Sequence, residues 1–298
     1  MARLSYRGSV LPASVGNMLI RLRALLLLSI VTSSVPPTHA AELNQQALVA
    51  WETYIASAQL GMQNRLASRS AFLWVDEDPI RKHNVQSGKI VISPVGSTHP
   101  LPVPHGLIHH WIGAVFIPEA TVRDLSAVVA DYGRYSEIYR PTLIKAELLD
   151  SSNEEQKFTV LWVQKVLLVT AAFYTELNSK TIELSNQKRY MTFSATRVQQ
   201  IENYGERDER RLAPDEGSGY LWRLVSFARF EERDGGLYLE LEVIGLSKDL
   251  PGSLRWLFKP VIDHVPRQAL TMKLDQTCQA IRSRSAARAS STLLPSLH

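Results

Sequence analysis

The stretch that most constrains this chain runs from Asp249 to Arg282 and reads DLPGSLRWLFKPVIDHVPRQALTMKLDQTCQAIR. Its second half sets Leu270, Leu274, Thr277 and Ile281 at i, i+4, i+7 and i+11, with Cys278 beside them. That spacing is the apolar stripe of an amphipathic helix lying on an apolar surface. Asp263 is suited to cap the helix and Pro266 to its first turn, where a missing N–H does no harm. The first half carries Leu254, Leu257, Phe258, Val261, Ile262 and Val265. Pro260 and Pro266 are expected to kink or split it. Several β-rich runs precede this stretch. A long late helix after many strands predicts an α+β architecture, with an antiparallel sheet curled around that helix.

Upstream, the spacing of Ala47, Leu48, Trp51, Ile55, Ala58 and Met62 predicts a helix over residues 43–67. Residues 72–75 and 88–94 read as short strands, and residues 93–105, rich in Pro, Gly, Ser and His, as a linker. Residues 106–117 (GLIHHWIGAVFI) read as a strand broken or bulged at Gly113. Thr121 with Asp124 three residues on marks a helix start, and a second short helix ends at Pro141. Runs rich in Val, Leu, Phe, Tyr and Thr follow, at residues 143–149, 158–164, 166–177 and 189–198. Residues 220–232 and 237–247 pair through Asp234-Gly235-Gly236, the strongest hairpin signal in the chain. Residues 283–298 are Ser/Ala/Arg-rich without a period and read as a disordered tail.

Residues 1–41 read as a signal peptide. Arg21 and Arg23 form a basic region, residues 24–31 an apolar one, and Thr38-His39-Ala40 a small-residue cleavage site. The apolar run is short for a bilayer span, so cleavage is favoured over a retained anchor. Met18 is an alternative start. The segment holds Arg3, Arg7, Arg21 and Arg23 and no acid. Without those four, the 33 basic residues fall to 29, equal to the 29 acidic ones. The remaining chain therefore lacks the concentrated basic face that nucleic acid needs. Cys278 is the single cysteine, so no intrachain disulfide forms. Export without disulfides or Asn-x-Ser/Thr sites suits a bacterial periplasm.

The order of strand, two short helices, strand meander and long helix resembles the helix-grip arrangement of the START-like, polyketide-cyclase-like (SRPBCC) superfamily. The segments that carry the resemblance are VFIPEATVRDLSAVVADYGRYSEIYRP, YLWRLVSFARFEERDGGLYLELEVIGLSKDLP and the closing helix. It covers residues 106–282; residues 42–105 form an extension outside it. It implies a sheet gripping the last helix around an apolar cavity. It also implies a hydrophobic or amphipathic, lipid-like small molecule as partner, with transient membrane contact. A cyclase or aromatase acting in the same cavity is one alternative. An interaction module with a filled core is another. Fold alone does not choose among them.

In that arrangement the aromatic residues surround the cavity. Trp111, Tyr135, Tyr139, Trp162, Tyr174, Trp222 and Phe227 are candidate lining residues, with Trp256 and Phe258 placed to close the mouth. Each also suits plain core packing. Arg197, Arg223 and Glu242 are the polar candidates. They serve either as paired groups holding a ligand head, or as an outer solvated face with cross-strand Arg–Glu pairs. His109 and His110 are adjacent on a strand and point to opposite faces, so they do not share an ion. No HExxH, CxxC, GxSxG or phosphate loop occurs, and no cofactor or metal is expected.

Overall fold

The computed structural model describes residues 41–67, 69–152, 154–166, 169–249 and 252–292, with only the backbone of 166, 169, 252–263 and 287–292. The described residues start with β1 (Ala41–Glu42), α1 (Gln45–Leu66), a 3₁₀ segment (Trp74–Glu77) and α2 (Pro79–Gln86). Then come β2 (Val91–Pro94), β3 (Leu101–Val103), β4 (Gly106–Pro118), α3 (Val122–Val129), a second 3₁₀ segment (Tyr132–Arg134) and α4 (Tyr135–Ile138). The meander is β5 (Leu143–Ser151), β6 (Glu155–Val166), β7 (Val169–Ser185) and β8 (Lys188–Glu202). Two short strands follow, β9 (Arg210–Arg211) and β10 (Glu216–Gly217), then β11 (Arg223–Arg233), β12 (Gly236–Lys248) and α5 (Gly252–Thr292). The main sheet is antiparallel in the order β2-β4-β12-β11-β8-β7-β6-β5, with β3 added on β4 and β9 on β8. The two short helices carry the chain from β4 across to the far edge at β5. This is the α+β helix-grip arrangement.

Local chemistry explains the boundaries. The Asn44 side chain accepts from Gln46 N, and Thr121 and Asp124 form a complete capping box on α3. Asp78 caps α2 with Pro79 in the first turn. The β11–β12 loop has two residues, Asp234 and Gly235, both at positive φ (54° and 77°). That is the geometry of a primed hairpin turn, which follows strand twist.

Four expectations are corrected. Residues 72–75 are not a strand; Trp74–Glu77 is 3₁₀ and precedes the unforeseen α2. β4 is not bulged at Gly113, because its pairing with β12 runs without a shift from Gly106↔Lys248 to Pro118↔Gly236. The glycine serves helix approach instead: a Cβ there would lie 2.5 Å from Ile92 Cδ1 and 2.7 Å from Leu274 Cδ1. α5 is not split. It passes through Pro260 and Pro266 and contains Asp263 rather than being capped by it. Each proline removes one ladder bond, and the ladder resumes beyond it. Finally, the tail read as disordered from 283 is helical to Thr292. Ala and Arg extend a helix already nucleated by docking. Arg284 pairs with Asp131 at 3.7 Å, and the Ser285 hydroxyl donates to Asp124 at 3.2 Å. Residues 1–40 and 293–298 lie outside the described residues.

Both faces of the sheet are covered. On the inner face, Leu270, Leu274, Cys278 and Ile281 of α5 pack on Trp111, Val115, Ile117, Ala228, Phe230 and Leu239, so the apolar stripe docks as its spacing required. On the outer face, Ala47, Trp51, Ile55 and Met62 of α1 pack on Ile108, Tyr190, Trp222, Val225, Phe227 and Ile244. Leu73, Val75 and Val85 close the rest of that face over Ala114, Phe116 and Tyr238. The 42–105 extension is therefore the outer layer. Each large apolar side chain it removes from water contributes roughly 1.5–3 kcal/mol.

Candidate functional site

The inner face divides in two. α5 packs on β4, β2 and β12 and against α3 and α4. Over the β5–β8 half, α4 and its C-cap residue supply the cover: Tyr135 and Tyr139 pack with Leu143, Phe158, Val160 and Leu177. Trp162 joins this cluster and a neighbouring one with Phe173, Val198 and Tyr220. Strand alternation places Phe158, Val160 and Trp162 on one side of β6, which is why they converge. The Trp162 ring stacks on Phe173 at 4.7 Å between centroids, and its Nε1 donates to Thr175 Oγ1 at 3.0 Å. Trp162, Phe193, Leu241 and Val243 all keep part of their surface exposed, although they lie on the helix-covered face. These part-exposed apolar side chains make this part of the inner face a candidate recess.

Polar atoms reach the recess at few points. Trp111 is buried, and its Nε1 has no hydrogen-bond partner, although His99 lies edge-on at 4.4 Å between ring centroids. Tyr139 Oη lies 3.3 Å from Thr277 Oγ1, and the Tyr135 hydroxyl donates to Val129 O. Burial pushes the Tyr135 and Tyr139 phenols above their usual range, so both stay protonated. Lys273 Nζ sits 3.4 Å from the Tyr139 ring centroid and 5.8 Å from that of Tyr135. Desolvation lowers its ammonium pKa to about 8, although the residue keeps part of its surface exposed.

The remaining candidates lie elsewhere. Trp222 and Phe227 belong to the outer cluster beneath α1. Tyr174 is also on the outer side, in the cluster with Leu161 and Ile201, with the Arg211 guanidinium 3.7 Å over its ring. Arg197 is a half-exposed partner of Glu176 at 3.3 Å, and Arg223 is held by Asp215 in the preceding loop. Glu242 is on the outer face, where it accepts from Arg229 Nη1 and His110 Nε2, each at 2.7 Å. That face is neither solvated nor part of the recess. It is a buried ionic layer, closed by Glu240, which accepts from Arg229 Nε and from the backbone N–H groups of Trp74 and Val75. Tyr54 Oη of α1 meets His110 Nδ1 at 2.8 Å. His109 does point away from His110, toward Ser247. The Trp256 and Phe258 side chains lie outside the described residues.

Of the proposed lining, the structure thus brings together Tyr135, Tyr139 and Trp162, with Trp111 further along the same face. Sequence reasoning missed Phe173, Phe193, Thr175 and Lys273. For Lys273 one signal existed: it stands four residues before Thr277, beside the apolar stripe. A separate open groove of about 600 Å³ lies at the β5 edge, between residues 130–133 and 146–149. Among the described residues, no helix is long and apolar enough to cross a membrane.

No protein-family model matches the chain, and no curated protein matches it by sequence. Solved structures similar to it include the Zhui aromatase/cyclase from Streptomyces sp. R1128, at 14% identity and TM-score 0.41, covering 59% of this chain and 95% of that one. The STAR-related lipid transfer protein from Xanthomonas axonopodis is similar at 13% identity and TM-score 0.38, covering 65% and 98%. Human STARD10 is similar at 6% identity and TM-score 0.39, covering 67% and 76%. The strand order, the two short helices after β4 and the gripped α5 make this a helix-grip fold.

Proposed function

We propose that this protein binds a hydrophobic or amphipathic small molecule in the recess between α5 and the β6–β8 half of the sheet. The carrying observation is the part-exposed aromatic wall of Trp162 and Phe193 on a face that a helix covers. A filled core would bury these rings, since interiors pack densely. An apolar recess with few polar groups is the usual form of a small-molecule site. The similar solved structures are named for lipid transfer and for aromatase/cyclase activity; those names describe those proteins. Arg197, Arg223 and Glu242, the polar pocket candidates, do not converge on the recess.

We further propose export to a bacterial periplasm, supported by the basic, apolar and small-residue regions of residues 1–41. N-terminal sequencing of envelope material is expected to begin near Ala41 or Glu42. For binding, native mass spectrometry of protein purified from its own cells is expected to show a retained apolar molecule. Titration with the neutral dye Nile red is expected to saturate. No retained molecule and no saturable dye binding would refute the reading.

A further inference from the structure

The two edges of the main sheet are built differently. One is blunted by short strands, β2 with four residues and β3 with three. The other is β5, nine residues long, with no strand paired to its outer side among the described residues. Shortness is a common protection for an edge, whose unpaired N–H and C=O groups otherwise invite pairing with another chain. β5 lacks it. Seven of its nine residues are exposed, and they include Ile144, Leu148 and Leu149 at 41%, 46% and 59%. The other exposed large apolar residues described, Val49, Leu60, Ile80 and Leu184, are spread over α1, α2 and β7. Clustered apolar exposure marks interaction sites, whereas scattered single residues need no explanation.

We propose that β5 pairs antiparallel with β5 of a second copy, about a two-fold axis through Ala146. The charges of the strand select this partner, because they complement themselves. Lys145 and Glu147 flank Ala146 and lie 2.5 Å apart within the strand. An axis through Ala146 sets Lys145 of each copy opposite Glu147 of the other, and Ile144 opposite Leu148. Every such contact is made twice. Moving the axis one residue either way sets Lys145 against Lys145 or Glu147 against Glu147, and like charges opposite each other repel. The charges therefore fix the register as well as the partner. The two irregularities of β5 fall between 143 and 145 and between 148 and 150, so residues 145–148 around the axis stay in regular pairing with β6. The open groove beside residues 146–149 leaves room for Ile144 of the second copy next to Leu148. The seam lies at the sheet edge and is independent of the recess.

Sedimentation velocity of the full chain from roughly 1 to 100 μM should show wild type passing from monomer to dimer, as a modest interface allows. Lys145→Glu and Glu147→Lys each place like charges opposite one another twice. Each should raise the dimer dissociation constant roughly tenfold or more. Both side chains are more than half exposed, so melting of the variants should match that of wild type. An equimolar mixture of the two variants should regain the dimer, because positions 145 and 147 of one then meet opposite charges on the other. The double exchange Lys145→Glu/Glu147→Lys should regain it unmixed. A wild type that stays monomeric across this range would overturn the proposal, whatever else the edge then binds. A dimer that neither substitution weakens would overturn it too, as would one that the mixture fails to restore.

Discussion

Replacing Arg229 with Met tests the buried ionic layer beneath α1. The Arg229 and Glu240 side chains have no exposed surface, and Glu242 is 15% exposed. One guanidinium thus serves two carboxylates, at 2.9 and 2.7 Å. Removing it leaves both acids facing each other in a site largely closed to water. Breaking a buried pair in this way costs about 3–5 kcal/mol. For a domain of this size that lowers the melting temperature by roughly 6–20 °C. The pH dependence gives a sharper readout. Burial alone would raise the Glu242 pKa, but the hydrogen bond from His110 and the Arg229 charge override it and hold the carboxyl at about 2. A depressed carboxyl contributes stability above its ordinary value of 4.5, and that contribution fades as pH falls toward 2. In the variant burial dominates, the carboxyl moves upward, and acidification relieves the unpaired charge. The stability gap between wild type and variant should therefore narrow between pH 7 and pH 4.5. Urea unfolding across that range, followed by circular dichroism, measures it. A gap below about 1 kcal/mol, the range of exposed pairs, or a gap independent of pH, would refute the reasoning.

Trp222→Ala should destabilise the protein by about 3–5 kcal/mol, because the ring is packed between α1 and the sheet, with Nile red affinity per folded molecule unchanged. Weakened affinity without loss of stability would move Trp222 into the recess. The Cys278 thiol, buried at 3% exposure and pushed up to about 12, should react with a thiol reagent only on unfolding. Rapid labelling of native protein would mean that α5 presents a different face.

Much of the architecture could be read from the chain, because its signals are local. The Thr121–Asp124 box, the Asp234-Gly235 turn and the Leu270–Ile281 stripe each act within a few residues, and each appears where expected. The alternation on β12 was equally readable: Leu237, Leu239 and Leu241 face one way, Tyr238, Glu240 and Glu242 the other. What alternation cannot say is whether the polar side meets water. Glu240 and Glu242 fit an exposed face until α1 and the 3₁₀ segment are laid over them. Those two elements come from more than 150 residues earlier in the chain.

The same limit governs the recess. The aromatic residues were visible as a set, but their division between two faces was not. Trp162 and Tyr139 share the inner side, while Trp222 and Phe227 serve as anchors for α1. Lys273 was hidden too, since nothing local to the helix places its ammonium over the Tyr139 ring. Sequence by itself determined the elements, their order and the face of α5 that docks, because hydrogen bonding, capping and side-chain period act along the chain. Only the tertiary structure decided which strand faces stay dry and which cation lies among aromatic rings. Burial depends on what distant segments bring over each face.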